Sequence, residues 1–257
     1  MGIHPTAIVD PSAEIGSGVS VGPFSIVGPR VVIGDGTEVM GHVFIDKDTS
    51  IGRECRVFPF ASLGADPQDM KYAGERTRLS IGDRVIVRES VTIHRGTEHG
   101  GGETRIGNGV LVMATVHVAH DCKVADDVIL SSYAVLAGHV SVGFQAIVSG
   151  STAIHQFVRV GDHAFVGGMS GLVKDVPPFM IVAGFRDTVS VTPNIVGLRR
   201  RNFSGEARAA IIGVYKLIHN HRPLAGVLDE AERGFPDSEE AKAIIAFYRS
   251  SERGVYR

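Results

Sequence analysis

A spacing of six runs through this chain. Every sixth residue from Ile3 is aliphatic: Ile3, Val9, Ile15, Val21, Val27, Ile33, Val39, Ile45, Ile51, Val57 and Leu63. The phase returns at Ile81, Val87 and Ile93. It restarts one residue out of step at Ile106 and holds through Val112, Val118, Val124, Leu130, Leu136, Val142, Val148, Ile154, Val160, Val166 and Leu172. A second column lies four residues after the anchors and is small or β-branched, as at Ala7, Ala13, Val19, Ser25, Cys55, Val116, Cys122 and Val128. Glycine often follows the anchor directly, as at Gly16, Gly22, Gly34, Gly143 and Gly161. A helix would repeat every 3.6 residues and a half-buried strand every two, so neither explains the pattern.

A sixfold repeat is the signature of a parallel β-helix. One short strand and one turn take six residues, and three such units close a triangular coil of eighteen. Anchors point inward and stack, small residues fit the crowded interior near the corners, and glycine is expected to permit the turn conformation. Successive coils lie about 4.8 Å apart because they pair as parallel strands, so residue i lies beneath residue i+18. The general preference of parallel crossovers is right-handed. Known hexapeptide-repeat proteins wind left-handed, and that resemblance is followed here. The expected fold is thus an all-β left-handed parallel β-helix (hexapeptide repeat) over residues 1–190, with a small C-terminal α-helical domain over 191–257. Two polar segments without the pattern, 65–78 and 94–105, are expected to project as loops, where binding residues often sit. Beyond about Pro193 the chain reads as helical: Ser204 is a helix cap with apolar spacing through Ile218, a shorter helix follows near Leu224 to Glu232, and another begins at "DSEE".

The formal net charge of −2 and the pI near 6.6 supply no basic field for nucleic acid. The first residues show no basic and apolar leader, and no apolar run approaches the ~18 residues of a membrane span. Cys55 and Cys122 are the only cysteines, which suits a reducing cytoplasm.

The stretch "HVAHDC", residues 117–122, concentrates chemistry. Cys122 falls in the small interior slot, so it reads as a buried apolar residue and not as a nucleophile. His117, His120 and Asp121 fall outside the inward slots. By the eighteen-residue rule Gly138 lies above His120, Gln156 above Gly138, and His139 above Asp121. His117, His120, His139, His155 and Gln156 are therefore expected to meet. A histidine base with Asp121 fixing its tautomer fits this arrangement, with the Gly138 N–H facing a developing oxyanion. A zinc site is the rival, since one class of zinc carbonic anhydrase also uses a hexapeptide coil with three histidine ligands.

The segments "IHPTAIV", "DMKYAGERTR", "RESVTIHRGT", "HVAHDC", "LAGHVSV", "IHQFVRVG" and "GLRRRNFS" together resemble the UDP-N-acetylglucosamine 3-O-acyltransferase family over nearly the whole chain. That resemblance implies the first step of lipid A synthesis: transfer of a 3-hydroxyacyl group from acyl carrier protein to the glucosamine 3-position. It implies a homotrimer with active sites between neighbouring coils. His120 would be the general base, Asp121 its partner, and Gly138 the oxyanion donor. Asp69, Lys71, His117 and His139 would contact the sugar or phosphates, with His155 and Gln156 nearby. Asn194, Arg200 and Arg201 would hold the nucleotide, and Gly168 would limit acyl-chain length. No cofactor is implied, since a thioester is already activated. The chain departs from the family at "GFRDTVSVTPN", where "GN-x-A" is usual, at Val196, where glutamate is common, and at Met70, where leucine is usual. Some relatives accept a 3-amino sugar. The neighbouring N-acyltransferase family carries a domain before the coil, whereas here the hexad begins at Ile3. A non-enzymatic trimeric scaffold is the remaining alternative.

Overall fold

The computed structural model describes residues 2–220 and 223–257. Two- to four-residue strands follow one another around a three-faced prism, and each pairs in parallel with a strand one coil on, as Ile8 with Ile26 and Val27 with Ile45. This is the left-handed β-helix expected from the repeat. The first face presents outward Ile8, Ile26, Phe44, Ser62, Thr92, His117, Val135 and Ala153. The second presents Glu14, Val32, Ser50, Ser80, Arg105, Lys123, Ser141 and Arg159. The third presents Ser20, Glu38, Arg56, Ile86, Leu111, Ile129, Ile147 and Phe165. The anchors fill the interior; Ile45, Leu63, Ile93, Leu130 and Val148 are wholly buried. Such stacking of aliphatic side chains stabilises by roughly 1.5–3 kcal/mol per residue.

The loops shift the register without breaking the prism. Cys55 and Val85 are brought together 30 positions apart, and Asp83 and Asn108 25 apart, in place of eighteen. The projecting parts are shorter than 65–78 and 94–105, because Arg78–Ile81 and Glu103–Ile106 are themselves paired strands. One 3-10 turn, Glu98–Gly100, lies in the second loop.

The role expected for the glycines is corrected by the backbone. The left-handed corner position is three residues after the anchor and is mostly not glycine: Phe24, His42, Asp48, Asp121, His139 and His163 all have φ between 55° and 62°. The glycine directly after the anchor has an ordinary φ at Gly22 and Gly34. A Cβ there would come within 2.6 and 2.7 Å of the next coil's backbone, so these glycines serve close approach.

The coil closes with an antiparallel hairpin, Met180–Phe185 with Thr188–Pro193, formed from the segment that departs from the family. Helices α1 (Ile195–Arg200), α2 (Gly205–Ile218), α3 (Leu224–Gly234) and α4 (Glu239–Arg249) follow; Ser204 caps α2 as expected, and Ser238 caps α4. Arg159 ties α4 to the second face by donating to the Phe247 carbonyl at 3.2 Å. Among the described residues no helix is long and apolar enough to cross a membrane.

Candidate active site

His120 and Asp121 sit at the corner between the first and second faces, because the hexad puts Val118 and Cys122 inside and leaves the residues between them outside. Asp121 takes the left-handed conformation, which aspartate tolerates better than most residues. Its carboxylate is fully buried and is fixed from several sides. Oδ1 accepts the Thr97 N–H at 2.9 Å, and Oδ2 accepts the Thr97 hydroxyl at 2.6 Å. The Asp121 N–H donates to Thr104 Oγ1 at 2.8 Å. A Cβ at Gly100 would collide with this carboxylate, so the 95–102 loop lies directly over it.

Asp121 Oδ2 lies 2.7 Å from His120 Nδ1. An ionised carboxylate only accepts, so Nδ1 carries the proton and Nε2 is left with a free lone pair. One coil up, a Cβ on Gly138 would stand 2.8 Å from that Nε2 and 2.6 Å from Cε1; only glycine fits above this imidazole. Among the described residues the Gly138 N–H has no hydrogen-bond partner. An imidazole nitrogen and an unpaired backbone amide therefore belong to residues packed against each other on adjacent coils.

Other histidines surround this pair. His139 stacks on Phe157 (4.4 Å between ring centres) and meets His120 edge-on, with Nε2 3.7 Å from Asp121 Oδ2. His117 is held by Thr92 Oγ1 at 2.7 Å and meets His94 edge-on. Burial lowers the basicity of His139 and His117, and pushes His94 down to about 4, with the neighbouring His117 and His120 adding to the effect. All three rings beside His120 are thus harder to protonate than an ordinary histidine. Cys122 lies inside as expected, its thiol pushed up to about 12 by burial.

The first loop also reaches this corner. Asp69 accepts the Lys71 N–H at 2.9 Å and faces His99 Nε2 at 3.1 Å. Its carboxyl is held below the ordinary range, chiefly by the Lys71 hydrogen bond, with His120 among the charges that contribute. His99, Thr97, Thr104 and His94 were missed by the sequence reading. The hexad says nothing about where a loop folds back, although "HRGTEH" does carry the signal of clustered histidine and threonine.

Not all the expected residues meet. His155 lies 3.1 Å from Arg253 and from the Gln156 carbonyl, and makes no contact with His120. Gln156 is exposed above Gly138. Asn194, Arg200 and Arg201 gather at a different corner, between the second and third faces. There they line a cleft of about 250 Å³ with Val196, which stands exposed where glutamate was expected. Gly168 sits near the corner between the third and first faces, against the Gly150 carbonyl. His120, Asp121 and His139 do place three ligand-type atoms within 4.8 Å of one another. Nδ1 of His120 and Oδ2 of Asp121 are, however, spent on each other.

Comparison with known proteins finds relatives along the whole chain. Residues 175–256 match the family model described as UDP N-acetylglucosamine O-acyltransferase, domain 2, and residues 12–47 and 103–138 match the bacterial transferase hexapeptide. The UDP-N-acetylglucosamine O-acyltransferase of Moraxella catarrhalis is 40% identical, with all of both chains covered and a TM-score of 0.96. That of Bacteroides fragilis is 38% identical over 99% of both chains, with a TM-score of 0.95. The Arabidopsis enzyme is 30% identical over 99% of this chain and 100% of its own, with a TM-score of 0.87.

Proposed function

Since the chain belongs to the UDP-N-acetylglucosamine O-acyltransferase family, we propose that it moves a 3-hydroxyacyl chain from acyl carrier protein to the 3-hydroxyl of UDP-N-acetylglucosamine, the first step of lipid A biosynthesis, in the cytoplasm. One observation supports the mechanism: Gly138, whose N–H has no partner among the described residues, packs directly over the His120 imidazole.

Each part of the reaction has a group to perform it. His120 Nε2 takes the proton of the sugar 3-hydroxyl as that oxygen attacks the thioester carbonyl. The carbonyl oxygen gains charge and receives the Gly138 N–H, a kind of contact worth about 2.7–4 kcal/mol where it has been deleted. The tetrahedral intermediate collapses, the C–S bond breaks, and the imidazolium returns its proton to the departing thiolate. Asp121 keeps the correct tautomer and balances the transient positive charge. Asp69, Lys71, His117 and His139 position the sugar from the loop and the first face. Gln156 and His155 follow further along the same edge. Gly168 leaves room for the acyl tail, so a bulky residue there shortens the chain accepted.

Asn194, Arg200 and Arg201 complete the site from a second copy of the chain. The first and third faces are apolar outside in many coils, and the corner where they meet exposes Phe60 (63%), Tyr133 (61%) and Met169 (83%). The second face is polar. Three such wedges turned about a common axis bury their apolar corners. The His120 edge of one copy then meets the Arg201 edge of the next. The free, buried thiols of Cys55 and Cys122 suit a reducing compartment.

The test offers the purified protein a panel of 3-hydroxyacyl carrier proteins with UDP-N-acetylglucosamine and with its 3-amino analogue. Product mass is expected to show an ester at the 3-position of the natural sugar. His120→Ala is expected to be inactive with the assembly intact; full activity in that variant ends the mechanism.

A further inference from the structure

His163 stands at the corner between the second and third faces, in the left-handed conformation. Two residues of the nucleotide end hang on it. Its backbone carbonyl accepts from Asn194 Nδ2 at 3.1 Å, and its Nδ1 faces Arg201 Nη1 at 2.9 Å. A guanidinium has only donors, so Nδ1 accepts and the ring proton is on Nε2. Aromatic neighbours hold the ring in place. It stacks on Phe179 at 5.6 Å between centres, and meets Phe144 and Phe203 edge-on.

Neutrality is built into this contact. Burial, then the charge of Arg201, lowers the basicity of His163, and Asp162 opposes them weakly. Among the described residues no carboxylate pairs with Arg201 within 4.0 Å. Its charge, itself disfavoured by burial and supported only by the more distant Asp127, is oriented without being neutralised. A carboxylate in place of the imidazole would aim the guanidinium equally well but cancel its attraction for phosphate.

We propose that His163 is a positioning residue for the acceptor's diphosphate, aiming Arg201 through its Nδ1 and Asn194 through its carbonyl. This rests on the nucleotide reading of Arg201 and Asn194. Protonation of His163 removes the acceptor and sets a second cation against Arg201, so acceptor affinity falls in acid. Arg201 from the end of α1, Asp162 beside the ring and Asp127 two coils below are the charged groups that set where this occurs.

Calorimetric binding of UDP-N-acetylglucosamine to the full-length enzyme, without donor, isolates the effect from proton transfer at His120. Arg201→Ala is expected to weaken binding, and His163→Phe, which keeps the packing and loses the acceptor, to weaken it about tenfold. His163→Asn, whose Oδ1 replaces Nδ1, is expected to restore affinity to within about threefold, and the double variant to bind no worse than Arg201→Ala alone. Wild-type affinity is expected to hold through the ordinary histidine range and to fall only as pH drops below 6.5, and His163→Asn to fall less. If Arg201→Ala binds like wild type, the nucleotide reading itself fails. If it weakens binding while His163→Phe does not, only the positioning role is overturned. Should His163→Phe lose the native melting profile, equal acid weakening in wild type and His163→Asn overturns it instead.

Discussion

Asp121 shows how much chemistry one buried carboxylate sets. Two hydrogen bonds from Thr97 orient it, and it orients His120 in turn. Asparagine in its place keeps the volume but can offer an N–H where the imidazole needs an acceptor, so the wrong tautomer is favoured. Asp121→Asn is therefore expected to lower kcat by about 10²–10⁴-fold while KM for the sugar changes little; steady-state kinetics with kcat within tenfold of wild type would overturn this. His94 makes a separate prediction about stability. Burial holds it at about 4, against 6.5 for an ordinary histidine, so the folded chain binds this proton less tightly than the unfolded one. Its contribution is complete above the ordinary range and is lost as pH falls from 6.5 towards about 4. Unfolding free energies from urea titrations are expected to drop over that window by an amount on the order of 2 kcal/mol. His94→Met is expected to remove that part of the drop, and an unchanged acid slope in the variant refutes the assignment.

Among the elements, the two loops depend on Arg95. Its side chain is wholly buried yet bonds outward to the first loop and its base: Asp46 at 2.9 Å, the Gly64 carbonyl, Asp66, and Tyr72 Oη at 3.1 Å. The fork of donors holds the 66–77 segment against the coil, and that segment carries Asp69 to the His120 corner. Arg95→Met is expected to raise KM for the sugar several-fold with a smaller change in kcat, to cost roughly 1–3 kcal/mol of stability, and to open 66–77 to protease. Lysine, with one compact charge and three donors, is not expected to restore the wild-type values; an unchanged KM in the methionine variant would show that the loop holds without the clamp. Arg95 itself was not legible beforehand. The six-residue repeat made the coil, its inward slots and the Gly138–His120 stack readable, because a rigid periodic backbone turns sequence distance into spatial distance. It failed where the period failed. The contact of Thr97 and Gly100 with Asp121, the His99–Asp69 pair and the Arg95 clamp all depend on how aperiodic segments fold back. His155 was misplaced because its side chain turned towards Arg253, on a C-terminal segment that the repeat does not describe.

In the whole molecule, the two halves of the proposed site lie on different edges of one prism, one beside His120 and the other beside Arg201. If each site is built across two copies, a subunit lacking His120 can still lend its Arg201 edge, and a subunit lacking Arg201 its His120 edge. Mixed assemblies test this directly. His120→Ala and Arg201→Ala subunits, each nearly inactive alone at sub-saturating sugar, are unfolded together and reassembled in equal amounts. Random trimers then place an intact His120 edge against an intact Arg201 edge at about a quarter of the interfaces, so about a quarter of wild-type activity is expected to return. Sites built within single chains would return none, since every chain in the mixture carries a defect. Mixing the two variants without unfolding controls for exchange, and His120→Ala reassembled with Asp121→Asn controls for specificity. Those two lesions lie on the same edge, so that pair is expected to stay inactive. Recovery by both pairs, or by neither, would separate the two edges from any shared site and require a different assembly.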